Sequence, residues 1–284
     1  MANVTFSRKE FEKKFKLTKE IEDKISLFGT PLDKVGENIV EIEVFPNRPD
    51  LLSLQGFMRS FRAFMGKETG LIEYKLKKPE KDYTVFVDSS VKEIRPFTTC
   101  AIVKNLKLDE EKLKEIIELQ EKLHATIGRN RSSCAIGIYP LEKIKLPIKY
   151  EARKPSEISF IPLDEEREMN AQQILAKHAK GKTYAHLLEK LEKYPVFVDS
   201  ENKILSMPPI INSNGLGKVT EKTKDVFVEC SGKNLAILQT TLSIIVTALA
   251  DMGGAIYQMN LEYSEGKIET PNLKAKKIKC SVEN

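Results

Sequence analysis

Four polar side chains in the last third of the chain have the types and placement to recognise a small ligand. Ser206, Asn212, Glu229 and Ser231 all lie within residues 203–232, KILSMPPIINSNGLGKVTEKTKDVFVECSG. The pattern predicts two strands broken by Pro208-Pro209, a glycine turn at 215–217 and a third strand over 226–230. Proline cannot donate to a strand ladder, so Ser206 and Asn212 fall at strand ends, where side chains can line a cavity. Polar groups converging at the ends of apolar strands are the makings of a binding pocket. The plainer alternative is a hairpin with ordinary polar tips.

The elements that must position these groups belong to a chain of 284 residues, long enough for one or two domains. With 41% apolar and 31% charged residues it reads as globular, and its net charge of +5 is compatible with a polyanionic partner without requiring one. The four cysteines, Cys100, Cys134, Cys230 and Cys280, form no CxxC pair, and buried reduced thiols fit three of them better than disulfides or metal ligands. His124, His178 and His186 lack zinc-type spacing. Neither a HExxH motif nor a phosphate-binding GxxxxGK[ST] occurs. The N-terminus lacks the pattern of a signal peptide. The apolar run 235–250 carries too many hydroxyl and amide groups, and is too short, for a membrane span of about 20 residues. It predicts a buried helix, and the chain reads as cytoplasmic.

In chain order, Ser7 and Glu10 have capping-box spacing before a short helix reaching Phe15. A helix starting near Thr18 and ending at Gly29 follows, then a strand in which Val40, Ile42 and Val44 alternate with Glu41 and Glu43. Asp50 is placed to cap a helix carrying Leu54, Phe57, Met58, Phe61 and Met65, which stops at Gly66. A second unit begins with strands at 83–87 and 99–103 and the helix 110–127. Gln120 shares that helix's apolar face with Leu113, Ile116, Leu123 and Ile127, so it either finds partners or reaches water at an edge. Arg129, Asn130 and Arg131 make a basic turn, which is either simply solvated or a phosphate contact. Helices are expected over 169–178 and 184–191, and a last strand over 256–263.

These residues carry a family resemblance. The run Asn47-Arg48-Pro49-Asp50-Leu51, with Ser53, Gly56, Arg59 and Gly66, resembles the N-terminal signature of the phenylalanyl-tRNA synthetase β subunit. The second unit is similar to that subunit's editing domain. It matches through Ile94-Arg95-Pro96, Leu119-Gln120-Glu121-Lys122, Gly128-Arg129-Asn130-Arg131, Ala135-Ile136-Gly137-Ile138 and the stretch Leu205 through Ser213. With no room for an inserted β-barrel between the units, the resemblance is to the archaeal and eukaryotic form. It implies an α+β chain: a small N-terminal α/β B1-like domain over 1–78 and a larger mixed α/β B3/4 editing domain over 79–268, with a mostly antiparallel sheet. Residues 269–284 are then the start of a following B5-like domain or a tail.

The resemblance also implies a function, the hydrolysis of tyrosine wrongly attached to tRNA(Phe). An editing pocket must accept tyrosine and refuse phenylalanine, and a site built to bind a hydroxyl can reject the analogue lacking it by ~10⁴-fold. By position, Ser206, Glu229 and Ser231 correspond to the family's hydroxyl-sensing residues, with Phe197 and Leu163 as pocket walls. Gln120, Glu121, Arg131 and Asn212 fall where the family places its adenosine, ester and water contacts, and Lys218 where a basic residue meets the tRNA end. Glu229, Ser231 and Phe197 stand where archaeal relatives carry Asp, Thr and an aliphatic residue. No cofactor is implied for this portion, since ATP and magnesium belong to the complete enzyme. The implied partners are the 3′ end of tRNA(Phe), the synthetase α subunit and the rest of the β subunit, with no membrane. A competing reading is a non-catalytic tRNA- or subunit-binding module with the same fold.

Overall fold

The computed structural model describes residues 2–275 and 278–281. Three strands, β1 (Ala2–Ser7), β2 (Leu32–Val35) and β3 (Ile39–Val44), form an antiparallel sheet in the order β1-β3-β2. The alternation in β3 buries Val40, Ile42 and Val44 under helices α1 (Arg8–Glu12), α2 (Lys19–Leu27) and α3 (Leu54–Phe64). Phe57 of α3 is the hub, with ring centroids 5.3–6.0 Å from Phe6, Phe11, Phe28 and Phe61. Two capping expectations are corrected. Ser7 is the last residue of β1, paired with Ile39, and its hydroxyl makes no capping bond to α1, which stops at Glu12. Asp50 is spent on Arg48, 2.8 and 2.9 Å away, while Ser53 caps α3 by accepting from Gly56 N at 3.1 Å.

The second unit runs through β4 (Leu76–Lys77), β5 (Thr84–Val87), β6 (Phe97–Lys104), α4 (Glu110–Ala125), β7 (Cys134–Pro140) and β8 (Ile148–Arg153). A short ribbon of β9 (Ser159–Phe160) and β10 (Met169–Asn170) leads to α5 (Ala171–Lys177) and α6 (Ala179–Tyr184). Then come β11 (Tyr194–Val198), β12 (Ile204–Met207), β13 (Ile211–Asn212), α7 (Asn214–Gly217), β14 (Val226–Gly232), α8 (Leu235–Asp251), β15 (Ala255–Tyr263) and β16 (Gly266–Thr270). The helix expected over 184–191 is instead the end of α6 and a 3₁₀ turn at Ala185–Leu187, and the glycine turn at 215–217 is one helical turn, α7, capped by Ser213.

Among the described residues eleven strands join in one mixed sheet, along β13-β12-β11-β8-β5-β15-β6-β14-β7 with β4 and β16 also on β15. Only β15–β4, β15–β5 and β5–β8 are parallel among its described pairs. One face of β6, β14 and β7 packs under α4 and α8 in a core continuous with the N-terminal unit. The other face carries Cys100, Ile102, Tyr139 and Phe227 into a second core with Val85, Ile148, Tyr150, Phe197 and Leu205. The buried helix α8 keeps its hydroxyls by turning them back on its own carbonyls, as Thr241 does to Ile237 O at 2.9 Å and Thr247 to Ser243 O at 2.8 Å. No helix among the described residues is long and apolar enough to cross a membrane.

The two units are joined by polar contacts as well as by the shared core. Glu115 of α4 accepts from Gln55 N and Nε2 at the start of α3, and Arg59 of α3 pairs with Asp251 of α8 at 2.7 Å. At the other end, the sheet extends through Thr270, beyond the expected boundary at 268. Thr270 Oγ1 accepts from Cys100 N at 3.0 Å and donates to Cys100 O at 2.7 Å. Thr270→Val leaves both groups of Cys100 unpaired in the core and is expected to cost about 1–3 kcal/mol in urea unfolding. An unchanged urea midpoint would refute that bridge.

Candidate functional site

The site grows out of the alternation in β14. Val226, Val228 and Cys230 face the helices, so Phe227, Glu229 and Ser231 face the opposite core. The register sets Glu229 beside Cys100 of β6 and Gly137 of β7. Gly137 matters through what it lacks. A Cβ there would fall 2.2 Å from Tyr139 Oη and 2.5 Å from Glu229 Oε1. Its absence lets Tyr139, two residues along β7, lean back over the strand until its hydroxyl meets Glu229.

The opposing wall is also a product of register. Tyr150 pairs with Phe197, Phe197 with Ser206, and Ser206 with Asn212, giving one row of side chains across β8, β11, β12 and β13. Phe197 stacks on Tyr150 with centroids 4.4 Å apart. Because the sheet curls until its two ends face each other, Ser206 and Asn212 arrive at the same hydroxyl as Glu229. Tyr139 Oη lies 2.8 Å from Ser206 Oγ, 3.2 Å from Glu229 Oε1 and 3.3 Å from Asn212 Oδ1. Tyr139, Phe197, Ser206, Glu229 and Ser231 are each at most 2% exposed.

A phenol carries one proton and can donate it to only one of its three neighbours. Glu229 resolves this shortage. Burial raises its carboxyl to about 8, against the opposing effects of Arg95 and of bonding to Tyr139 and Ser231. At neutral pH Glu229 therefore keeps its proton and can donate as well as accept, and its Oε2 has no hydrogen-bond partner. Ser231, expected beside it as a hydroxyl sensor, also serves Arg95. Its Oγ accepts from Arg95 Nε at 3.1 Å and its carbonyl from Arg95 Nη2 at 2.5 Å. Arg95 is buried and spends its other bonds on the carbonyls of Arg131 and Ser132.

A second group of predicted residues gathers at the outer edge of β7. Gln120 Nε2 donates to Ile136 O at 2.9 Å, and Ile136 N donates to His124 Nε2 at 2.8 Å, so two side chains of α4 stand in for a missing strand. Burial lowers His124 to about 4 and keeps it neutral. Glu121 is held down to about 2, first by its polar contact with His124 and then by the charges of Arg131 and Lys180. Arg131 Nη2 bonds Glu121 at 2.9 Å while Nη1 reaches Ile210 O at 2.8 Å and Pro209 O at 3.3 Å, and the guanidinium lies over Tyr184. Arg131 thus stitches the β7 end of the sheet to the β12–β13 end. The turn that aims it is unusual: Arg129, Asn130 and Arg131 all have positive φ, of 47, 51 and 68°. A non-glycine residue in this region costs about 1–2 kcal/mol. Bonds from Arg131 N to His124 O and from Ser133 N to Gly128 O hold it there.

Of the predicted residues, Ser206, Glu229 and Phe197 therefore meet in one buried cluster with the partly exposed Asn212 at its rim, and Glu121 and Arg131 in one ion pair beside Gln120. Leu163 is half-buried and joins Asn212 through its backbone, N to Asn212 O at 2.9 Å. Lys218 is exposed just beyond α7. Asn212 is further held by Gly217, where a Cβ would lie 2.6 Å from Asn212 Cβ. Sequence reasoning missed Tyr139, Gly137, His124, Lys180 and the role of Arg95. A signal existed for Gly137: an isolated glycine between two isoleucines in a strand marks a close approach.

Residues 82–247 match the family model described as the B3/4 domain. The chain is 46% identical over 236 residues to the phenylalanine–tRNA ligase beta subunit of Thermococcus sibiricus, covering 83% of this chain and 42% of that one. It is 40% identical over 291 aligned positions to the beta subunit of Thermococcus kodakarensis, covering 100% of this chain and 50% of that one. The chain thus spans at most half the length of these relatives. Its fold is similar to the crystal structure of an N-terminal fragment of the phenylalanyl-tRNA synthetase beta-subunit from Pyrococcus horikoshii, with a TM-score of 0.92 and 40% identity over 97% of this chain and 81% of that one.

Glu229 makes stability depend on pH in a definite direction. Between its ordinary value near 4.5 and its folded value of about 8, the folded chain holds a proton that the unfolded chain has lost. Stability from this group is fully present below that window and falls as pH rises through it, by up to about 1.4 kcal/mol per pH unit. Glu229→Gln, which cannot ionise, is expected to flatten the decline between pH 5 and 8 in thermal unfolding. An identical slope in the variant would mean that Glu229 is not the buried acid.

Proposed function

The chain belongs to the phenylalanine–tRNA ligase beta subunits and carries their B3/4 domain, and on that premise we propose that it edits tyrosine mischarged on tRNA(Phe). The observation that carries this reading is a cluster of Glu229, Ser206 and Asn212 that already holds a phenolic hydroxyl, that of Tyr139. Groups so arranged discriminate tyrosine from phenylalanine, because an aromatic ring without the hydroxyl leaves them unpaired at about 1–3 kcal/mol each.

The hydrolysis itself needs a positioned water and donors for the developing oxyanion. Gln120 Nε2 gives one of its two N–H groups to Ile136 O. Asn212 Nδ2, without a protein partner among the described residues, is the better placed donor. Glu121, ionised beside Arg131, orients the water or fixes Arg131, and the exposed Lys218 and Arg129 lie outside the cluster to meet the phosphates of the tRNA end. Aminoacylation, ATP chemistry and pairing with an α subunit belong to the complete enzyme in this proposal.

A second reading, a tRNA- or subunit-binding module that hydrolyses nothing, draws support from the burial of Tyr139, Ser206 and Glu229, each at most 2% exposed. Tyrosyl-tRNA(Phe) mixed with the purified chain separates the two. Editing predicts deacylation by the wild type and a loss of about 10²-fold in Asn212→Ala. Binding without deacylation favours the module, and unchanged hydrolysis in Asn212→Ala removes Asn212 from the mechanism.

A further inference from the structure

We infer that Tyr139 is a specificity-determining residue of this site: its own phenol occupies the place that the ring of an incoming tyrosyl group would take. The inference rests on reading the Glu229 cluster as a phenol sensor. Three features of the structure support it. First, Tyr139 Oη engages Ser206, Glu229 and Asn212 together, the same groups that any external phenol must find. Second, the place is taken. Tyr139 and Phe197 are fully buried, Ser206 is 1% exposed and Glu229 2%, while Asn212 at the rim is partly exposed. Third, the arrangement is built into the strand, since a Cβ at Gly137 would collide with the Tyr139 hydroxyl and the Glu229 carboxyl alike.

Tyr139 also stands at one end of the sheet. It lies on β7, the end strand of the sheet, whose outer edge at Ile136 is held by the side chains of Gln120 and His124 instead of by another strand. Its ring packs on Phe227 at 5.7 Å. An external phenol replaces its hydroxyl bond for bond and finds Glu229 Oε2 still free, whereas a bare aromatic ring strands three polar groups. Selection at this site is then a competition between two phenols, one of them tethered to the chain.

The test uses the full chain with p-cresol and toluene as probes, read by thermal shift and calorimetry. Wild type is expected to bind p-cresol about tenfold more weakly than Tyr139→Ala does, because the probe must displace the tethered phenol. Tyr139→Ala is expected to bind p-cresol about tenfold more tightly than toluene, the ratio that one satisfied hydrogen bond of about 1.4 kcal/mol supplies. In Tyr139→Ala combined with Glu229→Ala that preference is expected to shrink, with Ser206 and Asn212 alone left to meet the hydroxyl. Wild type that binds p-cresol as tightly as Tyr139→Ala does overturns the inference, and Tyr139→Leu takes the same place in the comparison where the alanine variant does not fold. A folded Tyr139→Ala that binds toluene as well as p-cresol overturns it too. Deacylation assays on the same proteins keep the two readings apart. If no variant hydrolyses tyrosyl-tRNA while the p-cresol pattern holds, the editing reading fails and the role of Tyr139 stands.

Discussion

Burying a carboxyl group is costly unless it gives up its charge or gains partners, and Glu229 does both. It sits 2% exposed on the inner face of β14, keeps its proton to about pH 8, and shares a phenolic hydroxyl with Ser206 and Asn212. Other features of this core follow from accommodating it. Gly137 is needed because a side chain there would push Tyr139 away. Arg95 stands near, its own charge satisfied by the carbonyls of Arg131, Ser132 and Ser231 and by the Ser231 hydroxyl, and no carboxylate among the described residues pairs with it directly. A neutral acid next to a solvated-by-carbonyl cation is stable without an ion pair, and it leaves the acid free to act as a hydrogen-bond donor.

The curl of the large sheet brings the cluster together and creates its own difficulty, two strand ends that meet without pairing. Side chains close that seam. Gln120 and His124 satisfy the backbone of Ile136, and Arg131 joins Glu121 to the carbonyls of Pro209 and Ile210. Three successive residues with positive φ aim Arg131 across the seam. Backbone strain of this kind persists where surrounding contacts over-determine it, and it concentrates at functional sites. The exposed Arg129 and Asn130 are left at the tip of that turn, at the mouth of the seam. The N-terminal unit supports the seam from behind, because the helix that presents Gln120, Glu121 and His124 also carries Glu115, which is anchored on Gln55 of α3.

Much of this was legible along the chain. Alternation in β3, the apolar face of α4 and the continuous apolar run of α8 placed those elements correctly, since period and burial are local properties of a segment. The family resemblance pointed to Ser206, Asn212, Glu229 and Phe197, which do meet in one cluster. Gln120 did need a partner on its helix face, and found it in Ile136 O. Capping at Ser7 and Asp50 misled because each residue's bonds were claimed by something outside its own helix, a sheet ladder for Ser7 and Arg48 for Asp50.

The amino-acid sequence by itself determined which residues carry hydrogen-bonding groups into apolar strands, and which face of each strand they take. Only the tertiary structure decided which of those groups touch. Ser231 turns to Arg95, Gln120 to the edge of β7, and Tyr139, a residue with no polar pattern to mark it, takes the hydroxyl position between Glu229, Ser206 and Asn212. The reason is physical. Those contacts join residues 16 to 136 positions apart, and they depend on the register of several strand pairs and on the curl of the whole sheet, neither of which any local spacing encodes.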